Sequence, residues 1–265
     1  MGSVRLAGMI LGVIVCIGMW RNDSWGGDTK IYATSGYFTW HEQIGGADFI
    51  RERGMMTALG ISRCGMVLDS LLMEGLVEVW GGNLEYDGHD VTNTRTLQSD
   101  TTYLGTREEL AIAKRWPTTG HFSAGPFAGA GHKFWIRTRS NEDWNMVYGK
   151  IGVVADYSTG KWQMKLKGGV DLPLYTRSHV SLESAGFEDV VTRPRGQAAP
   201  FLEASIGQGA WSIGLRYEEM RFAESARVAT RTTAQPGNGV AVVDSQAFQP
   251  QSDSTLIGLK VEYRY

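Results

Sequence analysis

The chain has 265 residues, a formal net charge of −2 and a mean hydropathy of −0.21. These values exclude a helical membrane protein, and without a basic surplus they give no support to nucleic-acid binding. They do not exclude a transmembrane barrel, in which lipid-facing residues alternate with polar ones. The 34 glycines and 7 prolines are more typical of strands and turns than of helices.

The amino-terminal segment has the pattern of an export signal. Arg5 precedes an uncharged run over residues 6–20, which is the length of a signal-peptide core and too short to span a bilayer as a helix. We predict a signal peptide over residues 1–25, with an uncleaved amino-terminal anchor as the alternative, and a single domain over residues 26–265. Removal of the signal leaves Cys64 alone, so we expect no intrachain disulfide and no cysteine-based metal site.

From residue 31 onward, apolar and polar residues alternate with a period of two, which predicts β-strands. Ten such segments lie near residues 36–42, 54–68, 71–85, 101–115, 127–139, 144–157, 162–172, 197–207, 211–218 and 256–265. Tight connections near residues 69, 118, 159 and 208 alternate with longer ones at residues 43–53, 86–100, 177–196 and 223–253. Short periplasmic turns and longer outer loops characterise transmembrane barrels.

The last segment shows a clear alternation and ends on an aromatic residue. One face carries Leu259, Val261, Tyr263 and Tyr265, and the other carries Lys260, Glu262 and Arg264. This strand resembles the carboxy-terminal signature of Gram-negative outer-membrane barrels, which is an assembly signal. Together with the loop pattern, it makes the chain similar to small barrels of the OmpA-like transmembrane type without a peptidoglycan-binding domain. The resemblance implies an all-β, antiparallel up-and-down transmembrane barrel of about ten strands, with eight to twelve possible, over residues 26–265, in the outer membrane.

The aromatic residues give a second expectation for a bilayer. With the tight turns on the periplasmic side, one set lies near that side, namely Trp116, Phe122, Tyr157, Trp162, Trp211, Tyr263 and Tyr265. A second set lies near the opposite strand ends, namely Trp40, Tyr103, Trp144, Tyr175 and Phe222. We therefore predict two interfacial belts. The alternative fold is a soluble lipocalin-like barrel, which would bury Leu166, Ile213, Leu259 and Val261 inside.

Charged residues of both signs occupy the face predicted to point inward. The predicted lumen charge network contains Glu78, Arg107, Glu109, Lys133, Arg137, Lys150, Lys165, Lys167, Asp171, Glu203, Arg216, Glu218, Lys260 and Glu262. Because an unpaired buried charge is costly, we expect these side chains to pair across a filled lumen, with Lys165, Glu203, Arg216 and Glu262 in one network. A narrow channel with a mild anion preference is the functional alternative.

The sequence supports no catalytic, cofactor-binding or metal-binding residue. Ten strands also describe omptin proteases, and the nearest match to their acidic pair and Asp-His pair is Asp87-Gly88-His89-Asp90 with Asp244 and Asp253. Lipid-modifying barrels need a serine and a histidine on the lipid-facing wall, where His132 is predicted, and His179-Val180-Ser181 lies in a predicted loop. We predict instead a non-enzymatic structural, surface-interaction or narrow-channel role, with an outer-membrane enzyme acting at the rim as the alternative.

The same reasoning defines the expected partners. They are the lipid bilayer with its lipopolysaccharide, the outer-membrane assembly machinery, and small solutes or a surface partner that would contact the outer loops. Neither a cofactor nor nucleic acid is expected.

Overall fold

The computed structural model describes residues 27–68, 70–89, 96–231 and 244–265. The predicted signal peptide over residues 1–25 lies outside this part of the chain. No helix within the described ranges is long and apolar enough to cross a membrane.

The described part consists almost entirely of strands. They are β1 (Gly27–Ile44), β2 (Ala47–Leu68), β3 (Leu71–His89), β4 (Thr96–Lys114), β5 (Trp116–Thr119), β6 (Phe122–Arg137), β7 (Glu142–Thr159), β8 (Trp162–Val180), β9 (Val190–Thr192), β10 (Gly196–Gln197), β11 (Ala199–Gln208), β12 (Trp211–Phe222), β13 (Val228–Arg231), β14 (Asp244–Ala247) and β15 (Gln251–Arg264). A short 3-10 helix, η1 (Glu183–Ala185), follows β8.

Ten of these strands form a closed antiparallel barrel, namely β1, β2, β3, β4, β6, β7, β8, β11, β12 and β15, and the last pairs with both β1 and β12. Paired residues can be followed around the barrel from Gly36 on β1, and through β2, β3 and β4 they lead to Arg137 on β6. Followed in the other direction, through β15, β12, β11, β8 and β7, they lead to Gly125, which is also on β6 but twelve residues away. This stagger tilts the strands strongly, and side chains can fill a barrel of this small strand number.

The outward face is apolar, which confirms the predicted transmembrane barrel. The side chains of Leu166, Ile213, Leu259 and Val261 are 43–55% exposed, so they do not form an interior core. The soluble lipocalin-like alternative is therefore wrong. On β8, the register with β7 shifts beside Pro173, where Leu174 bulges out, because proline cannot continue a regular ladder.

The outer connections are shorter than the sequence predicted. Most of residues 43–53 is strand, and β1 and β2 meet in a turn at Gly45 and Gly46, which have positive φ angles. Strand β8 likewise continues into the predicted loop at residues 177–196. Strand β2 has 22 residues, whereas about 9–11 tilted residues span a bilayer, so the outer walls extend beyond it. Outward residues are polar at that height, which removes the apolar alternation that the prediction required.

One of the two predicted aromatic belts is wrong. Trp40, Tyr103, Trp144 and Phe222 are at most 1% exposed and point into the lumen, whereas Tyr175 faces outward. At the end with the tight turns, Trp116, Phe122, Tyr157, Trp162, Trp211 and Tyr265 are exposed, as a belt requires. Nearness to a strand end predicts the height of an aromatic ring but not which face of the sheet carries it.

Candidate functional site

The lumen is filled by three groups of charged side chains, which we name from the end with the tight turns to the opposite end. The lower charge group contains Glu74, Lys165, Lys167, Glu203, Lys260 and Glu262. The middle charge group contains Glu78, Arg107, Glu109, Lys133, Lys150, Asp171, Arg216 and Glu218. The outer charge group contains Glu42, Glu52, Arg137 and Glu142.

The lower charge group consists of two lysine-carboxylate sets. Lys167 donates a hydrogen bond to Glu74 over 3.0 Å, and the Lys165 ammonium lies 3.7 Å from the same carboxylate. On the other side of the lumen, the Lys260 ammonium lies 3.0 Å from Glu262 and 3.5 Å from Glu203. Each charge of this group therefore has a partner of opposite sign.

The middle charge group is centred on two carboxylates that share two arginines. Arg107 and Arg216 donate to Glu78 over 3.0 and 2.9 Å, and both also bond Glu218. Lys133 bonds Glu218, and Lys150 lies 2.9 Å from Glu109 and 3.6 Å from Asp171. Arg216 thus belongs to the middle group, whereas Lys165, Glu203 and Glu262 belong to the lower one. Ion pairing divides the four residues that the sequence placed in one network.

The outer charge group is unbalanced. Arg137 lies 2.7 Å from Glu42, 3.0 Å from Glu52 and 2.8 Å from Glu142, and all four side chains are buried. The alternating pattern predicted the arginine in the lumen but not the three carboxylates, because they lie in or beside stretches predicted as connections. The even spacing along each strand could have revealed two of them, because Glu42 lies two residues after the inward Trp40 and Glu52 lies four residues before the inward Met56.

Three tryptophans, Trp40, Trp135 and Trp144, close the lumen beside this group, and we call them the tryptophan plug. The rings of Trp135 and Trp144 stack with centroids 5.2 Å apart, and Trp40 packs edge-on against Trp144 at 5.5 Å. The Arg137 guanidinium lies 4.8 Å from the centre of the Trp40 ring. The indole nitrogens of Trp40 and Trp144 donate to Glu42 and Glu142, both over 2.8 Å. Plug and outer charge group therefore form one buried unit.

Free space in the barrel is divided by this unit. Below it, a cavity of about 50 Å³ lies against Phe38, Met56 and Arg216, which is room for a few water molecules at most. Above it, a cleft of about 530 Å³ opens at the outer end, and we call it the outer cleft. Glu42 and Glu142 line this cleft, while its walls come from the outer ends of the strands and from residues 182–192 and 245–250.

The residues that could have formed an omptin-like site are not brought together. Asp253 on β15 lies 3.6 Å from His41, and strands β1 and β2 separate it from Asp87 on β3. The His89 ring stacks on Phe49, with its Nδ1 atom 3.1 Å from the Phe49 carbonyl oxygen. Asp90 lies outside the described residues, and the side chain of Asp244 is not described.

The other two candidate histidines are held by acidic neighbours. His132 faces outward, with Nδ1 3.0 Å from Glu108 and Nε2 3.3 Å from Asn145. His179 lies at the end of β8, with Nδ1 2.9 Å from Asp143 and Nε2 3.4 Å from Asp189. Both ring nitrogens of each histidine therefore face a side-chain oxygen. Among the described residues, no cluster of three or more histidine, cysteine or acidic side chains could hold a metal ion.

Comparison with known proteins shows which fold the chain has but not which activity. No family model matches the chain, and no curated protein matches it. The structure is similar to the outer membrane protease OmpT from Escherichia coli, with a TM-score of 0.54, 8% identity, and coverage of 90% of this chain and 96% of that chain. The COG4313 outer membrane channel from Pseudomonas putida F1 aligns with a TM-score of 0.41 and 10% identity over 90% and 96% of the two chains. OprG from Pseudomonas aeruginosa aligns with a TM-score of 0.35 and 13% identity over 90% and 97%.

The likeness to the OmpT fold and the closed ten-stranded sheet with its apolar outward face identify the class of protein. The chain is an antiparallel transmembrane-type β-barrel with the fold of that outer-membrane protein. At 8% identity, the likeness to the protease shows the fold alone.

Proposed function

We propose that the chain is a closed barrel of the Gram-negative outer membrane, without enzymatic activity, that acts at the cell surface through its outer cleft. The tryptophan plug carries this proposal, because Trp40, Trp135 and Trp144 are fully buried across the lumen. A conducting path would have to displace these rings and separate the buried ion pairs of Arg137, which is costly in a low-dielectric interior.

The outward face supports the proposed location. Its exposed apolar side chains would contact the bilayer and its lipopolysaccharide, because exposing so large an apolar surface to water is unfavourable. The assembly machinery would recognise β15, which carries Leu259, Val261 and Tyr263, together with Tyr265, which directly follows the strand and is exposed.

The environment of His132 and His179 supports a non-enzymatic role. A general base needs a free ring nitrogen within reach of the proton that it removes. In His179, Asp143 and Asp189 face the two nitrogens, and in His132 Glu108 and Asn145 do so. Neither arrangement leaves a nitrogen directed at a bound water.

The test is single-channel conductance of the refolded chain in a planar bilayer. Folding is first verified by heat-dependent gel mobility, and the Pseudomonas putida F1 outer membrane channel serves as the conducting control in the same bilayer. We expect the control to show current steps and this barrel to remain silent. Reproducible ion-selective steps would contradict the proposal and support a narrow channel. Lys165, Lys167 and Arg137 would then be the first residues to neutralise, to learn which one sets the ion preference.

A further inference from the structure

The outer cleft has the size and walls of a small-molecule site. Its volume of about 530 Å³ lies within the range of about 300–1,000 Å³ that ligand pockets have. Aromatic and aliphatic side chains form much of the wall, among them Phe49, Tyr86, Leu182, Phe187 and Val190. Such a wall binds an apolar body of a ligand.

The floor of the cleft is acidic. Glu42 and Glu142 line it, whereas Arg137, the cation that they share with Glu52, does not. The described hydrogen bonds to Glu42 all end on its Oε1 atom, and those to Glu142 end on Oε2. The second oxygen of each carboxylate is therefore left for a donor that enters from the cleft. Arg139, which also lines the cleft, is drawn to the wall, with its guanidinium 5.9 Å from the centre of the Tyr86 ring.

We propose that the outer cleft binds a small organic cation that joins an ammonium group to an apolar body, such as an arylalkylamine. The ammonium would lie against Glu42 and Glu142, and the apolar body would contact Phe187, because burying apolar surface against an aromatic side chain is favourable. An anion would be repelled by the same carboxylates. This inference rests on the proposed surface role, since it names the chemical class that the cleft would take.

The test is calorimetric titration of the refolded full-length chain with 2-phenylethylamine, with tryptophan fluorescence as the second signal. Binding should change the fluorescence, because Trp40 and Trp144 donate to the two floor carboxylates. Glu142→Gln should weaken binding by about tenfold or more, since it removes a charge-assisted hydrogen bond. Glu188→Gln is the matched control, because Glu188 is exposed beside Phe187 but does not line the cleft. It should leave the affinity unchanged.

Three further ligands test the class of compound. The neutral analogue 2-phenylethanol should bind at least about tenfold more weakly, and the anion 3-phenylpropionate should not bind. Trilysine carries ammonium groups without an aromatic body and should bind weakly. Equal affinity for the alcohol, for the anion or for trilysine would overturn the proposal, as would an equal loss of affinity in Glu188→Gln. If Glu142→Gln fails to fold, Phe187→Ala removes an aromatic wall without touching the outer charge group, and unchanged binding in it would also overturn the proposal.

Conductance is recorded on the same preparation, so that the two proposals fail separately. A silent barrel that does not bind 2-phenylethylamine overturns this inference and leaves the closed barrel standing. A conducting barrel that binds it in the way described keeps the cleft ligand and overturns the closed barrel.

Discussion

The outer and lower ends of the lumen are filled by different means. In the lower charge group, Lys165, Lys167 and Lys260 meet Glu74, Glu203 and Glu262, and Lys30 lies 3.6 Å from Glu262, so every carboxylate has a lysine partner. In the outer charge group, one arginine meets three carboxylates, and tryptophan rings supply the remaining packing. The lower end thus has a cation for every carboxylate, and the outer end has an excess of carboxyl groups at the floor of an open cleft.

This difference follows the surroundings of the two ends. A barrel wall inside the bilayer keeps water away from its lumen, where an unbalanced charge would be costly. The outer walls extend beyond the bilayer, and the cleft opens at that end. An excess of carboxylates is tolerable there, and where a protein tolerates such a local imbalance, function is the expected reason.

The largest expected effect is the loss of Arg137. Arg137→Ala would leave Glu42, Glu52 and Glu142 buried together without a cation, and removing one partner of a buried ion pair costs about 3–5 kcal/mol. We expect a loss of stability of this size in urea titrations followed by tryptophan fluorescence and heat-dependent gel mobility.

Arg53→Ala is the matched control for that variant. Arg53 forms an exposed pair with Glu85 at 3.1 Å, and exposed pairs contribute about 0–1 kcal/mol. If the two variants lost similar stability, Arg137 would not be the counter-ion on which the outer end depends.

The middle charge group should respond less to the same kind of change. In Arg216→Ala, Glu78 keeps Arg107 and Tyr32, and Glu218 keeps Arg107 and Lys133. The remaining partners limit the loss to about 1–3 kcal/mol, below that of Arg137→Ala. Urea titration of both variants in the same detergent checks the order. A greater loss in Arg216→Ala would mean that the shared partners do not substitute for one another.

The barrel itself could be predicted because a period of two is a local property of the sequence. The alternation of Leu166 with Lys165 and Lys167 assigns those three side chains to opposite faces without knowledge of any other strand. The prediction of ten strands and of an outward apolar face follows from such patterns, and the structure confirms both.

The outer site could not be predicted in the same way, because it forms only when the barrel closes. Arg137 is 95 residues from Glu42 and 85 from Glu52 in the sequence, and no local pattern links them. The position of Trp40 and Trp144 near strand ends is equally compatible with a lipid interface and with the lumen. The alternation within each strand decides between the two, and Trp144 shares the parity of the inward Lys150, a signal that height along the strand does not contain.

The smallest expected effects come from replacing one glutamate by glutamine at each end of the lumen. The same substitution should change stability in opposite directions at the two ends. Glu142→Gln removes one of three crowded carboxylates, and the amide oxygen can still accept from Arg137 and Trp144, so we expect a change within about 1 kcal/mol and in the stabilising direction. Glu74→Gln leaves Lys165 and Lys167 without a carboxylate and should cost about 1–2 kcal/mol, a reduced figure because these groups are only partly buried. The midpoints of urea unfolding at neutral pH measure both. Equal losses would show that Arg137 requires all three carboxylates, and the acidic excess at the outer end would then be part of the packing and not available to a ligand.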